Sequence, residues 1–514
     1  MAFDIKNMLA VQVYDHPVSR IELIETHISW VILTGDYAYK IKKPVDFGFL
    51  DFSTLQLRRV CCEQEVLLNR RLAPEIYLDV VAITGTADRP SFCGEGEAIE
   101  YAVKMAQFPQ SAQLDNMLAA GTLNADHMDA IARLVADFHQ SVEVADAGMK
   151  YGDSDVVYQP VEENFIQINQ HIDTTPYSST LDTLKRWSQA EFSRLNKALA
   201  KRKHDGYIRE CHGDMHLRNM LWLDGKPMAF DCIEFNAALR WIDVISEVAF
   251  LVMDLQDRQQ QRLANRFLNS YLEISGDYSA LSLLPFYLVY RAMVRAKVNA
   301  LRLEQDNVSD EEKAQTRTAF ESYLELAAGY TRKAEPKLII MRGLSASGKS
   351  TVSRQLLDRL GAIRIRSDVE RKRMFNATDS DPSANKIDSG IYSAKASEQT
   401  YARLAMLATT IIDAGYSVIV DAAFLKHEQR EPFQRLAGVL DVPYIILEVT
   451  APDDVLRSRI KQRKNDVSDA DLAVLEHQLS NWRPLHENET ATVITVNSTV
   501  KLDARALTDK INAI

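Results

Sequence analysis

The feature that most constrains the fold is a glycine-rich junction at residues 343–350, which have the sequence GLSASGKS. An apolar run at residues 337–342 precedes it, and a helical pattern begins at Lys349. The spacing G-x-x-x-x-G-K-S between a strand and a helix is typical of a loop that wraps around phosphate groups. Because Gly343 and Gly348 carry no side chain, the backbone can approach phosphate oxygens closely, and the helix N-terminus adds positive potential. The junction therefore predicts an α/β fold around it.

The rest of the C-terminal half alternates short apolar runs with longer helical patterns. Such an alternation predicts a parallel sheet with right-handed crossovers. The C-terminal half is therefore predicted to be an α/β domain of the P-loop type. Its predicted strands cover residues 337–342, 362–366, 417–421, 444–449 and 493–497.

The glycine-rich loop predicts how ATP would be bound. Lys349 is expected to reach the β- and γ-phosphates, and Ser350 is expected to ligate Mg²⁺. A Gly/Ser turn that only opens a helix is the alternative, and the agreement of strand, loop and helix favours the phosphate site. The other residues assigned to the predicted nucleotide site are Gly343, Ser345, Ser347, Gly348 and Thr351.

Polar residues that follow the predicted strands indicate an acceptor site beside the phosphates. Asp368 follows the second strand and would lie at the carboxyl edge of the sheet, where it could accept a proton from an attacking hydroxyl. A helix N-cap is the alternative for Asp368, and the two roles are compatible. Arg371 follows one helical turn later and is expected to hold an anionic acceptor. Asp421, after the third strand, suits a substrate contact or an outer-sphere contact to magnesium.

Three arginines, Arg457, Arg459 and Arg463, crowd a later helix and its exit. Arginines at such a position can clamp the phosphates in a closing lid. A solvated charged face is the alternative. Arg459 and Arg463 are the candidates for a catalytic role in the lid.

A second set of residues with phosphate chemistry lies in the N-terminal half, where residues 211–219 have the sequence CHGDMHLRN. Asp214 and Asn219 are spaced as in the catalytic loop H-R-D-x-x-x-x-N of protein kinases. In this arrangement Asp214 orients or deprotonates the acceptor hydroxyl, and Asn219 turns back to hold Mg²⁺. Asp231 follows a predicted hairpin at residues 220–230 and would bind the metal that bridges the phosphates.

The HGDMHLRN segment and the later aspartate together resemble the aminoglycoside phosphotransferase and choline-kinase-like family, whose signature is His-Gly-Asp-x-His-x-x-Asn. The resemblance covers about residues 20–320 and implies an α+β, bilobal, protein-kinase-like fold. It also implies a strand lysine that holds the α- and β-phosphates and a helix glutamate that pairs with it. Lys40 and Lys42 compete for the first role, and Glu63 and Glu65 compete for the second. We favour Lys40 with Glu65.

Three further features of the N-terminal half lead to predictions: an aspartate, the layout of the N-terminal lobe and a set of arginines. Asp243 matches a family aspartate that supports the catalytic loop, so the resemblance implies a structural role for it. One early hairpin, at residues 29–43, precedes an insertion at residues 44–53, which indicates a compressed N-terminal lobe. Three arginines on one helix face would suit a phosphate- or carboxylate-bearing substrate, with a solvated face as the alternative: Arg291, Arg295 and Arg302.

The C-terminal residues resemble the zeta-toxin and polynucleotide-kinase branch of P-loop kinases, an AAA-type ATP-binding fold, over about residues 337–480. The resemblance rests on the glycine-rich loop, on Asp368 with Arg371, and on the lid pattern of Arg459 and Arg463. It implies that Asp368 is the general base, that Arg371 binds the acceptor and that a lid arginine stabilises the transition state. Members of this branch phosphorylate nucleic-acid ends, nucleotide sugars and small metabolites, so the branch does not fix the acceptor.

Composition limits the partners and the location. A formal charge of −11 disfavours broad nucleic-acid binding through a basic surface, and five cysteines without a C-x-x-C pair disfavour a disulfide framework or a zinc site. The N-terminus lacks a signal pattern, and no apolar run approaches the roughly 18 residues of a spanning helix, which predicts a cytoplasmic protein without membrane contact. We predict a kinase-like domain at residues 1–330 and a P-loop domain at residues 337–514, separated by the polar stretch 331–336.

These observations predict a kinase that uses ATP and Mg²⁺ to phosphorylate a hydroxyl of a small-molecule or nucleotide-like acceptor. A nucleotide-dependent regulatory switch with a non-catalytic, ligand-sensing kinase-like domain is the alternative. Phosphorylation of nucleic-acid ends is disfavoured, because the chain is acidic and shows no basic stripe with aromatic residues. The acceptor, the catalytic status of each half and the oligomeric state stay open.

Overall fold

The computed structural model describes residues 3–46, 48, 50–92, 94–305, 309–375, 391, 393–462, 472–480, 482–486, 489 and 492–514. Packing divides the chain into two compact units. The first contains Met1–Asp254 and Phe286–Ala327, and the second contains Leu255–Pro285 and Ala328–Ile514. The second unit thus includes Leu255–Pro285, which lies within the predicted bounds of the kinase-like domain. The domain bounds 1–330 and 337–514 themselves stay a prediction.

The strands and helices are numbered in chain order. The strands are β1 Glu22–Glu25, β2 Ser29–Leu33, β3 Tyr37–Lys42, β4 Tyr77–Thr86, β5 Arg89–Ser91, β6 Glu100–Ala106, β7 Ile208–Glu210, β8 Met220–Leu223, β9 Lys226–Ala229, β10 Trp241–Asp243, β11 Leu338–Arg342, β12 Ile363–Arg366, β13 Val418–Asp421, β14 Tyr444–Thr450 and β15 Thr492–Asn497. The α-helices are α1 Leu55–Asn69, α2 Leu114–Ala119, α3 Ala125–Ser141, α4 Ser154–His171, α5 Ser178–His204, α6 Val244–Asp257, α7 Gln261–Ser275, α8 Leu284–Leu303, α9 Asp310–Tyr330, α10 Lys349–Leu360, α11 Ser367–Met374, α12 Ala394–Asp413, α13 His427–Leu440, α14 Asp453–Gln462, α15 Leu472–Ser480 and α16 Ala504–Asn512. None of these described helices is both long enough and apolar enough to cross a membrane.

The first unit begins with an antiparallel sheet in the order β1-β2-β3-β6-β4-β5. The predicted hairpin is confirmed: β2 pairs with β3, and Gly35 turns between them with φ +104°. The prediction of a compressed lobe is wrong, because β1 extends the hairpin on one side and β6, β4 and β5 extend it on the other. Strand β1 was not predicted, because this mostly exposed edge strand has the short sequence ELIE, with a charged residue at each end. Helix α1 packs on β4 and β6 and brings its buried face to the sheet.

Short strand pairs lie on either side of the kinase-like loop at residues 211–219 in the same unit. β7 pairs with β10, and β8 pairs with β9 in the predicted hairpin. Asp224 and Gly225 turn that hairpin with φ +50° and +78°, which are conformations that Asp-Gly turns favour. The predicted bilobal α+β fold is confirmed in that a sheet precedes a mainly helical part.

The second unit is built on a parallel sheet in the order β12-β13-β11-β14-β15. This confirms the predicted α/β fold, and each strand begins and ends within one residue of its predicted bounds. The central strand β11 is buried along its whole length, as expected for a strand covered on both faces. The carboxyl ends of the strands therefore present the glycine-rich loop, Asp368 and Asp421 at one edge of the sheet.

Candidate active sites

The kinase-like loop lies between β7 and β8, and side chains of α6 and α8 hold its backbone. Gly213 has φ +89°, and a Cβ there would lie 2.7 Å from a carbonyl oxygen, so the position needs glycine. The Gly213 N–H donates to Glu247 Oε1 at 2.7 Å, and its carbonyl accepts from Arg291 Nη1 at 3.0 Å. The Leu217 N–H donates to Asp254 Oδ2 at 2.9 Å. These buried charged groups fix the loop on both sides of its aspartate.

Asp214 and Asn219 are joined within this loop. Asn219 Nδ2 donates to Asp214 Oδ2 at 2.8 Å and to the Asp214 carbonyl oxygen at 3.0 Å, and His216 Nε2 lies 3.4 Å from the same Oδ2. Burial opposes ionisation of Asp214, but the charge and hydrogen bond of His216 and the charge of Arg295 hold its pKa well below the usual range. Asp214 is therefore an ionised acceptor that can orient a hydroxyl.

Asp231 lies beside Asn219 because of the β8–β9 pairing. The N–H of Phe230 donates to the Asn219 carbonyl oxygen at 2.9 Å, and the Asp231 N–H donates to Tyr77 Oη at 3.0 Å. The Asp231 side chain is 44% exposed. Asn219 and Asp231 both offer oxygen atoms, which are the ligands that Mg²⁺ prefers. The donor set therefore fits the metal that the resemblance implies.

One face of β3 presents two lysines to a glutamate of α1. Lys40 Nζ donates to Glu65 Oε1 at 2.8 Å and also contacts Asp231, while Lys42 contacts Glu65 Oε2 and Glu234. Burial opposes the charge of Glu65, but the two lysines hold its pKa at about 2. The structure thus brings the favoured pair together, and the nucleotide-binding role of Lys40 and Glu65 stays a prediction.

The competing residues differ in where they lie. Glu63 is on the exposed side of α1 and pairs with Arg59 at 2.8 Å, so the structure does not bring it to the site. Lys42 forms a second buried pair, with Glu234. The alternation of β3 placed Lys42 on the same face as Lys40, whereas no sequence pattern pointed to Glu234.

The three arginines that were predicted to share one face of α8 lie in different environments. Arg291 is buried and binds the backbone of the loop, while Arg302 Nε pairs with Glu312 at 3.2 Å. The Nε of Arg295 is buried, and it has no hydrogen-bond partner among the residues that the structure describes. Arg291 and Arg302 are therefore engaged within the protein. The guanidinium of Arg295 lies over the ring of Tyr323, 5.9 Å from its centroid, and its role toward a substrate stays a prediction.

Asp243 supports the loop from β10. Arg202 of α5 donates to its carboxylate twice, from Nε at 2.6 Å and from Nη2 at 2.7 Å, and both side chains are buried. The N–H of Ile245 donates to the same carboxylate at 3.0 Å. Because β10 pairs with β7, this ion pair anchors the strand that leads into the kinase-like loop.

Replacing Arg202 by Met is expected to lower the free energy of unfolding by about 3–5 kcal/mol, because the buried carboxylate of Asp243 loses its partner. The matched control is Arg194→Met on the same helix, where the arginine is 60% exposed and pairs with Glu191. An exposed pair contributes less than about 1 kcal/mol. Denaturant unfolding of the full chain, followed by circular dichroism, measures both changes. Equal losses in the two variants would contradict the anchoring role.

Behind the loop, His139, Cys211 and Glu247 place possible ligand atoms within 4.8 Å of one another. His139 Nε2 already lies 2.8 Å from Glu247 Oε2, and Glu247 Oε1 accepts from the loop. Burial raises the pKa of Cys211 and keeps its thiol protonated. The cluster therefore supports the backbone of the kinase-like loop.

The glycine-rich loop of the second unit connects β11 to α10 in a close-packed turn. A Cβ at Gly343 would lie 2.5 Å from the Val449 carbonyl oxygen, and Gly348 has φ +96°, so both positions need glycine. The Oγ of Ser347 is buried, and the described residues offer it no hydrogen-bond partner. A loop that needs glycine at both positions and has a Ser347 hydroxyl unpaired among the described residues is suited to bind phosphate oxygens.

The predicted phosphate-binding groups of this loop contact the protein itself. Lys349 Nζ donates to the carbonyl oxygens of Gly343 at 2.9 Å and of Leu344 at 2.8 Å. The Ser345 N–H donates to Gln478 Oε1 of α15 at 2.7 Å. Gln478 was missed from the sequence, because no motif includes it. Ser350 and Thr351 lie in the first turn of α10, where Ser350 is half-buried and Thr351 is exposed.

Asp368 occupies the second position of α11, after the N-cap residue Arg366, so the N-cap alternative is wrong. Burial raises the pKa of Asp368 and the charge of Asp421 adds to this, while Arg371, Arg366 and Lys349 oppose it. A carboxyl group with a raised pKa at the edge of a phosphate loop suits a general base.

The two predicted substrate residues lie near Asp368 and have partners within the protein. Asp421 ends β13, and its Oδ2 accepts from Ser353 Oγ at 3.1 Å. Arg371 Nη1 donates to the Ile391 carbonyl oxygen at 2.9 Å. Their roles toward an acceptor stay predictions.

The arginines of the predicted lid have different partners. Arg459 lies against the glycine-rich loop, where its Nη1 donates to the Ala346 carbonyl oxygen at 3.2 Å and to Ser498 Oγ at 2.8 Å. Arg457 instead pairs with Glu476 at 2.8 Å on the surface. Arg463 lies outside the described residues.

Two family models match the chain. One, described as the phosphotransferase enzyme family, matches residues 110–284, and the other, described as an AAA domain, matches residues 338–485. Among solved structures, amicoumacin kinase in complex with AMP-PNP, Ca²⁺ and Ami is 15% identical, with 61% of this chain and 91% of that chain covered and a TM-score of 0.39. APS kinase of Mycobacterium tuberculosis, in complex with AMPPNP and APS, is 18% identical, with 35% of this chain and 99% of that chain covered and a TM-score of 0.26.

A full-length relative is also known. An uncharacterized protein of Mycobacterium tuberculosis is 31% identical over 482 residues, which cover 93% of this chain and 94% of the relative. The family models confirm both resemblances drawn from the motifs. The chain therefore belongs to the same family as this mycobacterial protein, and it joins a domain of the phosphotransferase enzyme family to a C-terminal AAA domain.

Proposed function

We propose that the chain is a kinase that uses ATP and Mg²⁺ to phosphorylate a hydroxyl of a small-molecule or nucleotide-like acceptor. The observation that carries the proposal is the meeting of polar residues from separate segments at the kinase-like loop. Candidates for the phosphate, metal and acceptor contacts of phosphoryl transfer all occur in this set: Lys40, Glu65, Asp214, Asn219 and Asp231. The matching phosphotransferase and AAA domains support the same class of reaction.

In the kinase-like site, Glu65 fixes Lys40, which binds the α- and β-phosphates once its contact with Asp231 is exchanged for the nucleotide. Asp214 accepts a hydrogen bond from the acceptor hydroxyl. That oxygen bonds to the γ-phosphorus, the bond to the β-phosphate oxygen breaks, and ADP leaves. Because the pKa of Asp214 is low, it takes the hydroxyl proton late in the transfer. Asn219 and Asp231 would hold Mg²⁺, which would neutralise part of the phosphate charge when bound.

In the P-loop site, Lys349 exchanges its carbonyl contacts for the β- and γ-phosphates, and Ser350 is the candidate metal ligand. Asp368 accepts the proton of the acceptor hydroxyl, which its raised pKa favours. Arg459 lies against the loop and can stabilise the charge that develops during transfer. Arg371 and Asp421 are the candidates that orient the acceptor.

One observation favours a second candidate, a nucleotide-dependent switch without catalysis in the kinase-like half. Gln478 Oε1 accepts from the Ser345 N–H, and Lys349 binds the carbonyls of its own loop, so the loop is closed on the protein. A ligand that opened these contacts could move α15. The acid Asp368 favours the kinase instead, since a switch does not need a base on the acceptor side.

An acceptor screen separates the two candidates. Full-length protein is incubated with MgATP and fractionated small metabolites, and ADP release and transfer of labelled phosphate are measured. We expect at least one hydroxyl-bearing fraction to raise ADP release and to carry the label. Tight nucleotide binding without acceptor-stimulated release would favour the switch, and label on oligonucleotide ends would overturn the choice of a small acceptor.

The choice between the two lysines has its own test. Lys40→Met is expected to lower kcat/KM for ATP by about 10²–10³-fold, because a preorganised phosphate donor is lost. Lys42→Met removes the pairs of Lys42 with Glu234 and Glu65 but leaves the Lys40–Glu65 contact, so its effect on folded protein should be smaller. Steady-state kinetics with varied ATP measure both, and circular dichroism confirms folding. A larger loss for Lys42→Met would reverse the assignment.

A further inference from the structure

Helix α7 precedes the glycine-rich loop in the chain, yet it belongs to the second unit and packs against β12 and α10. Asn269 of α7 binds the backbone at this edge of the sheet: its Oδ1 accepts from the Arg364 N–H at 2.8 Å, and its Nδ2 donates to the Ala362 carbonyl oxygen at 3.0 Å. Backbone groups on an edge strand lack a strand partner. Helix α7 therefore supplies hydrogen-bond partners to two backbone groups, at the start of β12 and just before it.

One turn after Asn269, Glu273 binds two arginines of β12. Its Oε2 lies 3.0 Å from Arg364 Nη2, and its Oε1 lies 3.2 Å from Arg366 Nη1. The side chains of Glu273 and Arg366 are only 22% and 13% exposed, so solvent screens this contact weakly. Burial opposes the charge of Glu273, but the two arginines hold its pKa below the usual range, so it is a carboxylate at neutral pH.

Arg366 stands where its charge reaches the P-loop site. It is the last residue of β12, lies opposite Asp421 in the register with β13, and precedes Asp368 by two positions. Within the described part of the chain, no ion pair joins Arg366 to Asp368. The guanidinium points to Glu273 instead.

We propose that Glu273 is a positioning residue of the P-loop site: it binds Arg366 and so keeps that guanidinium away from the carboxylate of Asp368. This inference rests on the proposed function of Asp368 as the base. An arginine free to pair with Asp368 would stabilise its charged form and weaken it as a proton acceptor. The other ionisable groups that face Asp368 come from α10, α11, β13 and α12: Lys349, Arg371, Asp421 and Tyr401.

The test is the pH dependence of turnover in the full chain carrying Asp214→Asn, so that the P-loop site is measured by itself. In Glu273→Gln the freed Arg366 should lower the pKa of Asp368, and the acid limb of the kcat/KM profile should move down by about one pH unit. Glu273→Asp keeps the charge and should move the limb less. Arg366→Gln removes the cation and should move the limb in the opposite direction, to higher pH.

Shifts of opposite sign in the two variants are the expected result, since a merely structural role would not produce them. Folded variants whose acid limbs coincide with that of the parent would overturn the proposal. If Glu273→Gln fails to fold, Glu273→Asp decides: a downward shift of its acid limb supports the proposal, and a limb at the position of the parent overturns it. If the parent shows no turnover at any pH, the proposed function of the P-loop site fails, and this inference fails with it.

Discussion

Replacing Asp214 by Asn is expected to lower phosphoryl transfer at the kinase-like site by about 10²–10⁴-fold, the range that a positioned general base contributes. The amide keeps the size of the side chain and can still accept from Asn219, so the loop should stay folded. It cannot take up the proton of the acceptor hydroxyl. Transfer of labelled phosphate is measured in the full chain carrying Lys349→Ala, in which the P-loop site is silenced.

The matched control for this change is Asp224→Asn. Asp224 is exposed in the turn between β8 and β9 with φ +50°, a conformation that asparagine also adopts readily. It is expected to leave kcat and KM unchanged. If Asp214→Asn retained full transfer activity while the control behaved normally, Asp214 would not be the base, and the kinase-like half would be a binding module.

Local patterns in the sequence predicted much of the second unit and the core of the first site. An apolar run followed by a glycine-rich loop is compatible with few local structures. The strand, the glycine with positive φ and the start of the helix are each determined by adjacent residues. The same holds for Asp214 and Asn219, whose spacing within one short loop brings them together. The alternation of β3 also placed Lys40 and Lys42 on one face, where both contact Glu65.

Contacts between distant segments could not be predicted in this way. Glu234 meets Lys42 because two elements far apart in the chain pack together, and no local pattern encodes that pairing. The amphipathic pattern of α7 predicts that one face is covered but not which unit covers it. The contacts of Glu273 therefore could not be predicted. The same holds for Gln478, which binds Ser345 from a helix outside the loop motif. Residues that act on a site from outside its sequence motifs can be identified only in the folded structure.

Replacing Lys349 by Ala is expected to lower turnover at the P-loop site by about 10²–10³-fold, because the ammonium that would bind the β- and γ-phosphates is removed. Its Nζ donates to the carbonyl oxygens of Gly343 and Leu344, which places the ammonium group against the loop that would hold the nucleotide. Lys395→Ala, an exposed lysine of α12, is the control and should change nothing. Binding of a fluorescent ATP analogue and ADP release are measured in the Asp214→Asn background. A folded Lys349→Ala variant with unchanged binding and turnover would show that the loop does not hold the reacting nucleotide, whereas loss in this variant and in Asp214→Asn with different acceptors would establish two separate transfer sites on one chain.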